Sequence, residues 1–167
     1  MLGPSAMTQR DDAASAETEA YEQLRKRLST REPPPPLSPV APFDTKLTAL
    51  IDKLDVPLAS KACLHLLNDD LTRSHQILQS QEGVATFDYL HAIVHRREGD
   101  YSNSKYWFRQ VGAHPVWAEV YGSDPAAPVR FVDRCREAGK SSSRELEQVQ
   151  LQELSVLLQH VTHGAAV

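Results

Sequence analysis

Residues 67–79, LNDDLTRSHQILQ, and residues 97–109, REGDYSNSKYWFR, align at a constant offset of thirty positions. In that register Asp70 meets Asp100, Leu71 meets Tyr101, Ser74 meets Ser104 and Leu78 meets Phe108. Each stretch reads as the end of one helix, a tight polar turn and the start of another. Gly99-Asp100 has the chemistry of a helix-ending turn, because glycine enters the left-handed conformation without steric cost. A bulky residue just after the turn and a small one three positions later allow the two helices to pack closely.

The second copy is similar to the tetratricopeptide pattern around its turn, with Gly99, Asp100, Tyr101, Ser104, Phe108 and Pro115 near the expected places. The period is shorter than that family's, and two copies are fewer than a free-standing solenoid uses. The resemblance therefore implies helical-hairpin pairs inside a compact array.

Working outward, the apolar spacing stays helical. Phe43, Leu47, Leu50, Ile51 and Leu54 form one stripe. Pro57 permits a new start for Leu58, Ala62, Leu66 and Leu67. Thr86 reads as the N-cap of a helix over 87–98, and Ser102 as that of a helix reaching Val111. Residues 113–127, AHPVWAEVYGSDPAA, carry turn chemistry at both ends and read as an ordered loop anchored by Val116, Trp117 and Tyr121. Pro128 fits the first turn of a helix ending at Gly139. Ser142-Ser143-Arg144-Glu145 reads as a capping box opening the last helix, whose stripe Leu146, Val149, Leu154, Leu157, Leu158 and Val161 is interrupted by Glu153. No segment alternates as a strand does. The expected fold class is all-α: one domain of about six helices over residues 43–167.

Residues 1–42 read as a disordered tail. Small, polar and charged residues dominate to Thr30, and Pro33–Pro36 with Pro39 and Pro42 favour polyproline II. Tyr21, Leu24 and Leu28 recur at helical spacing, which predicts a transient helix over 16–29 with too few apolar residues to stand alone.

The bulk properties exclude several classes. Eighteen Lys and Arg against 22 Asp and Glu leave a net charge of −4, opposite in sign to what a general nucleic-acid binder or an anionic membrane surface requires. Asp11, Asp12, Glu17 and Glu19 interrupt any leader-like apolar run, so cytoplasm or nucleus is the expected compartment. Cys63 and Cys135 are far apart, belong to no CxxC pair, and read as core thiols. Arg96, Arg97, Lys105 and Arg109 interleave with Tyr101, Tyr106, Trp107 and Phe108, but the acidic balance makes them the rim of an aromatic core and not a nucleic-acid surface.

The chemistry concentrates in histidine. Five of the seven, His65, His75, His91, His95 and His114, fall within fifty residues of one another, among Asp69, Asp70, Asp88, Glu98 and Asp100. His91 and His95 share one helix face at i, i+4, with Glu98 close by, and His65 and Asp69 repeat that spacing. No cofactor is expected from this pattern; the one it would accommodate is a divalent metal held by His91, His95, Glu98 and Asp69. No phosphate loop, nucleophile elbow or other recognised catalytic signature is present, which leans against an enzyme without deciding the question.

FDYLHAIVHRREGDYSNSKYWFRQVGAHPVW (87–117), preceded by NDDLTRSHQILQ (68–79), resembles a family of uncharacterised bacterial and fungal proteins. Its members carry a Tyr-Trp-His-x-x-x-His-Arg-Arg-Glu core followed by an Asp-Tyr-x-Asn-x-x-Tyr-Trp-Phe-Arg run. The resemblance covers about a third of the chain and implies a shared polar site at His75, His91, His95, Arg96, Arg97, Glu98, Asp100, Asn103, Tyr106, Trp107, Arg109 and His114. The chain departs from it at Leu90 and at Asn68, where tryptophan and histidine are common. Taken together, these readings give a helical binding or scaffold module that presents a polar His/Arg/Asp groove to a protein or small polar ligand. A metal-dependent protein or enzyme using His91, His95 and a nearby carboxylate is the competing expectation.

Overall fold

A computed structural model of the chain describes residues 4–139, 141 and 143–163, with side chains from Ser15 to Thr162. Among the described residues there are nine helices and no strand. These are α1 Pro4–Ser29, α2 Thr45–Lys53, α3 Leu58–Leu67, α4 Leu71–Leu78, α5 Ala85–Glu98, α6 Tyr101–Val111, α7 Pro115–Tyr121, α8 Ala127–Ala138 and α9 Arg144–His163. The all-α class holds, with more helices than the expected six. None of them is long and apolar enough to cross a membrane.

The two aligned stretches form the hairpins α3–α4 and α5–α6, and they carry matching bonds. Ser74 Oγ donates to the Ala62 carbonyl at 3.0 Å, and Ser104 Oγ to the Ala92 carbonyl at 2.7 Å. Asp70 and Asp100 cap α4 and α6 by accepting from the backbone N–H of Arg73 and Asn103. At the corners, Asp69 and Gly99 both take positive φ, 59° and 87°. The cap of α6 is thus Asp100 and not the expected Ser102. Thr86 likewise does not cap α5, which starts at Ala85 after Val84.

Helix α5 is the centre of the fold. Every residue from Asp88 to Arg97 is buried, so the helix is enclosed on all sides rather than amphipathic. It packs on α3, α4 and α6, while α3 also packs on α1, α2 and α9. Tyr89, Leu90, Ile93, Leu64, Leu66, Phe108, Leu154 and Leu157 are among the residues of the main core.

The segment 113–127 departs from the expected loop. His114 accepts from the Val116 N–H and Pro115 occupies the first turn, which starts the seven-residue helix α7. Seven residues are too few to display a helical period in the sequence. The capping box proposed at the start of α9 depends on Ser142, which lies outside the described residues.

The largest correction concerns the tail. Residues 1–3 lie outside the described residues, but from Tyr21 onward the supposedly free segment is part of the packed structure. Tyr21, Leu24 and Leu28 are buried against the main core, and the Tyr21 hydroxyl lies 2.5 Å from Thr162 Oγ1 on α9. The proline run then crosses the molecule as a strap. Pro34 and Pro35 are buried, and Leu37 enters a second apolar cluster with Phe131, Cys135 and Leu146. Gln150 donates to the carbonyls of Pro35 and Pro36 at 3.0 and 3.1 Å. The few apolar residues of α1 suffice because α3 and α9 supply the opposing surface.

Candidate metal centre

His75, one turn into α4, faces His91 and His95 on the adjoining α5. One nitrogen from each of the three rings lies within 4.8 Å of the others. His75 Nε2 and His91 Nε2 are 3.0 Å apart, while the His91 and His95 rings stack with centroids 4.8 Å apart at 17°. Trp107 of α6 lies parallel to the other face of His91, centroid to centroid 4.3 Å. Helix spacing produces the stacked pair, and the packing of α4 on α5 supplies the third ring.

Glu98, at the end of α5, bridges two of these rings. Its Oε1 is 3.1 Å from His75 Nδ1 and its Oε2 is 3.3 Å from His95 Nδ1. Burial would raise the Glu98 pKa, but the hydrogen bond from His95 and the charge of His75 hold it below the ordinary value. Asn103 Nδ2 lies 3.1 and 3.4 Å from the two nitrogens of His95, so its amide sits beside the ring and not on one lone pair. Burial, reinforced by His95 and His75, lowers the His91 pKa to about 4. His91 is therefore neutral at physiological pH, with a lone pair available. His91 and His95 are buried, while the His75 side chain is 22% exposed and is the solvent side of the cluster.

Other expected site residues lie elsewhere. Asp69 and Arg97 belong to a buried ionic cluster: Asp69 accepts from Arg31 at 2.7 Å and from Arg97 at 2.5 Å, all three side chains being nearly inaccessible. The expected metal set is thus corrected at Asp69, whose carboxylate is already held by two guanidinium groups and does not join the histidine cluster. Arg97 also donates to the carbonyls of Leu66 and Pro36, and Arg31 to that of Leu67. Arg96 points into a second cluster. It donates to Glu153 at 2.6 Å, and Glu153 also accepts from the hydroxyls of Tyr89 and Tyr121 at 2.9 and 2.6 Å. Burial and the Glu153 charge push both tyrosine pKa values well up. Arg96 therefore braces the core, while Arg97, buried as it is, lines the cleft beside the proline strap.

Asp100 is engaged as the α6 cap, Tyr106 is half exposed with its ring edge on Trp107, and Arg109 is exposed. His114 caps α7 through Nδ1, and its Nε2 donates to Thr86 Oγ1 at 3.2 Å. Burial and His160 lower its pKa to about 4. His65 is enclosed on α3, 3.2 Å from Asp52, and takes no part in the triad. Both cysteines are free and buried, and burial pushes both thiol pKa values up. Arg31, Gln150 and Glu153 were not expected in any site. The interrupted apolar stripe marks Glu153, but nothing local in the sequence marks Arg31.

Compared with family models, curated proteins and solved structures, the chain has no match.

Proposed function

We propose that this chain binds one divalent transition-metal ion of the zinc class through His75, His91 and His95, with a coordination position left for an outside ligand. The observation that carries this reading is the approach of three imidazole nitrogens to within 4.8 Å in a half-buried setting. Imidazole is the preferred donor of zinc, copper and nickel, and three protein ligands with an open fourth place is the pattern of reactive zinc sites. Two nitrogens bound tetrahedrally at about 2.0–2.1 Å from one ion are about 3.3 Å apart. His75 and His91 are already near that distance, and closing the widest separation takes about 1.5 Å of side-chain rotation. The low His91 pKa removes proton competition at one ligand.

Elemental analysis after dialysis against Zn(II) tests the proposal. One zinc per chain is expected, with loss in the His91→Ala/His95→Ala double variant. A wild-type chain that retains no zinc, cobalt or nickel sinks the reading.

The binding-module expectation keeps one observation of its own. A cleft of about 950 Å³ runs between the proline strap and the first residues of α4 and α9, and Glu98 lines it. A ligand in that cleft would lie beside the carboxylate that touches His75 and His95, so binding and metal occupancy would be linked.

A further inference from the structure

We infer that Glu98 is a positioning residue of the metal centre: it sets the tautomers of His75 and His95 and stays outside the coordination sphere. The inference rests on the metal reading above. Both carboxylate oxygens are engaged, each by a different ring, at 3.1 and 3.3 Å from the two Nδ1 atoms. A carboxylate only accepts, so each Nδ1 carries the proton and each Nε2 carries the lone pair. The two nitrogens of an imidazole point away from each other, so an ion on the Nε2 side lies across the ring from Glu98. His75 Nε2 already faces His91 Nε2 at 3.0 Å. In the metal-free protein His91 donates across that contact; an incoming ion takes the Nε2 position and the proton moves to His91 Nδ1, so the ring stays neutral. Glu98 has no helix-stabilising reason to be where it is, because a carboxylate at a helix C-terminus meets the negative end of the dipole. Its partial exposure also means that substitution leaves the core intact.

Long-range ¹H–¹⁵N spectra of the histidine rings in the full metal-free chain read the tautomers directly. The wild type should show Nδ1–H at His75 and His95 and Nε2–H at His91. Glu98→Ala should return His75 and His95 to the mixed tautomers of free imidazole and weaken zinc binding about 10- to 100-fold, the usual cost of losing such a partner. Stoichiometry and the visible spectrum of the Co(II) form should be unchanged. Glu98→Gln, which keeps the shape but one acceptor oxygen, should fall between the two and serves if the alanine variant does not fold. Unchanged tautomers or unchanged affinity overturns the inference and leaves the metal reading standing. A Co(II) spectrum showing a lost ligand also overturns it, by making Glu98 a ligand. A wild type that binds no zinc overturns the metal reading and this inference together.

Discussion

The hairpins α3–α4 and α5–α6 share a backbone plan and differ in what their side chains reach. The serine-to-alanine bonds, the aspartate caps and the left-handed corners recur thirty residues apart. Beyond the corners themselves, the last helical turns diverge. In the first hairpin Leu66 and Leu67 enter the apolar core, and in the second the equivalent positions are Arg96 and Arg97. The corner itself is aspartate in one and glycine in the other. Asp69 accepts the left-handed conformation at a cost of about 1–2 kcal/mol because its carboxylate answers Arg31 and Arg97. The lesson is that turn chemistry fixes the hairpin, while distant partners decide which residue each position must be.

The comparison breaks most severely where the first hairpin depends on the amino-terminal segment. Deleting residues 1–42 removes Tyr21, Leu24, Leu28, Arg31 and Leu37 from buried positions. Leu28→Ala alone should cost about 2–5 kcal/mol. The deletion should therefore lower the thermal midpoint by more than about 10 °C and expose α3 amides to hydrogen exchange before those of α6. An unchanged midpoint would refute the docking of α1 and the strap.

A sharper cut is Asp69→Gly, which gives the first corner the residue of the second. It relieves the left-handed strain but leaves Arg31 and Arg97 buried without their counter-ion. A net loss of about 1–4 kcal/mol is expected, the cost of breaking a buried pair less the strain. Gly99→Ala adds strain alone and should cost about 1–2 kcal/mol. Urea unfolding of the two variants reads the difference, and equal losses would mean that the Asp69 cluster contributes no more than its backbone.

The smallest effect tests the equivalence itself. Ser74→Ala and Ser104→Ala should each cost about 1 kcal/mol, within about 0.5 of one another. A gap larger than about 1 kcal/mol would show that the matching bonds do not contribute equally.

Much of this was legible in the sequence, and the omissions have physical causes. The turn at Gly99-Asp100, the helical stripes and the shared face of His91 and His95 all follow from local spacing. Local spacing does not reveal which face of α4 meets α5, so His75 was placed in the polar site but Asp69 took its place in the metal set. Arg96 and Arg97 looked like a solvated rim because charges normally are. Their partners, Glu153 and Asp69, are brought together only by the tertiary fold. The apolar content of the first 42 residues is low for a self-contained element, and it is sufficient only because other helices provide the missing half of each contact.

Helix α3 lies between α1, near the beginning of the chain, and α9, beyond residue 143. Cys63 on α3 reaches the Leu154 carbonyl, 91 residues further along. During synthesis the two hairpins emerge early and can close on local contacts within microseconds to milliseconds. At the ribosome's pace of about 5–20 residues per second, the apolar side of α3 then waits several seconds for its second cover. Over that interval the nascent chain is a half-closed book, and its exposed page is a surface that chaperones recognise.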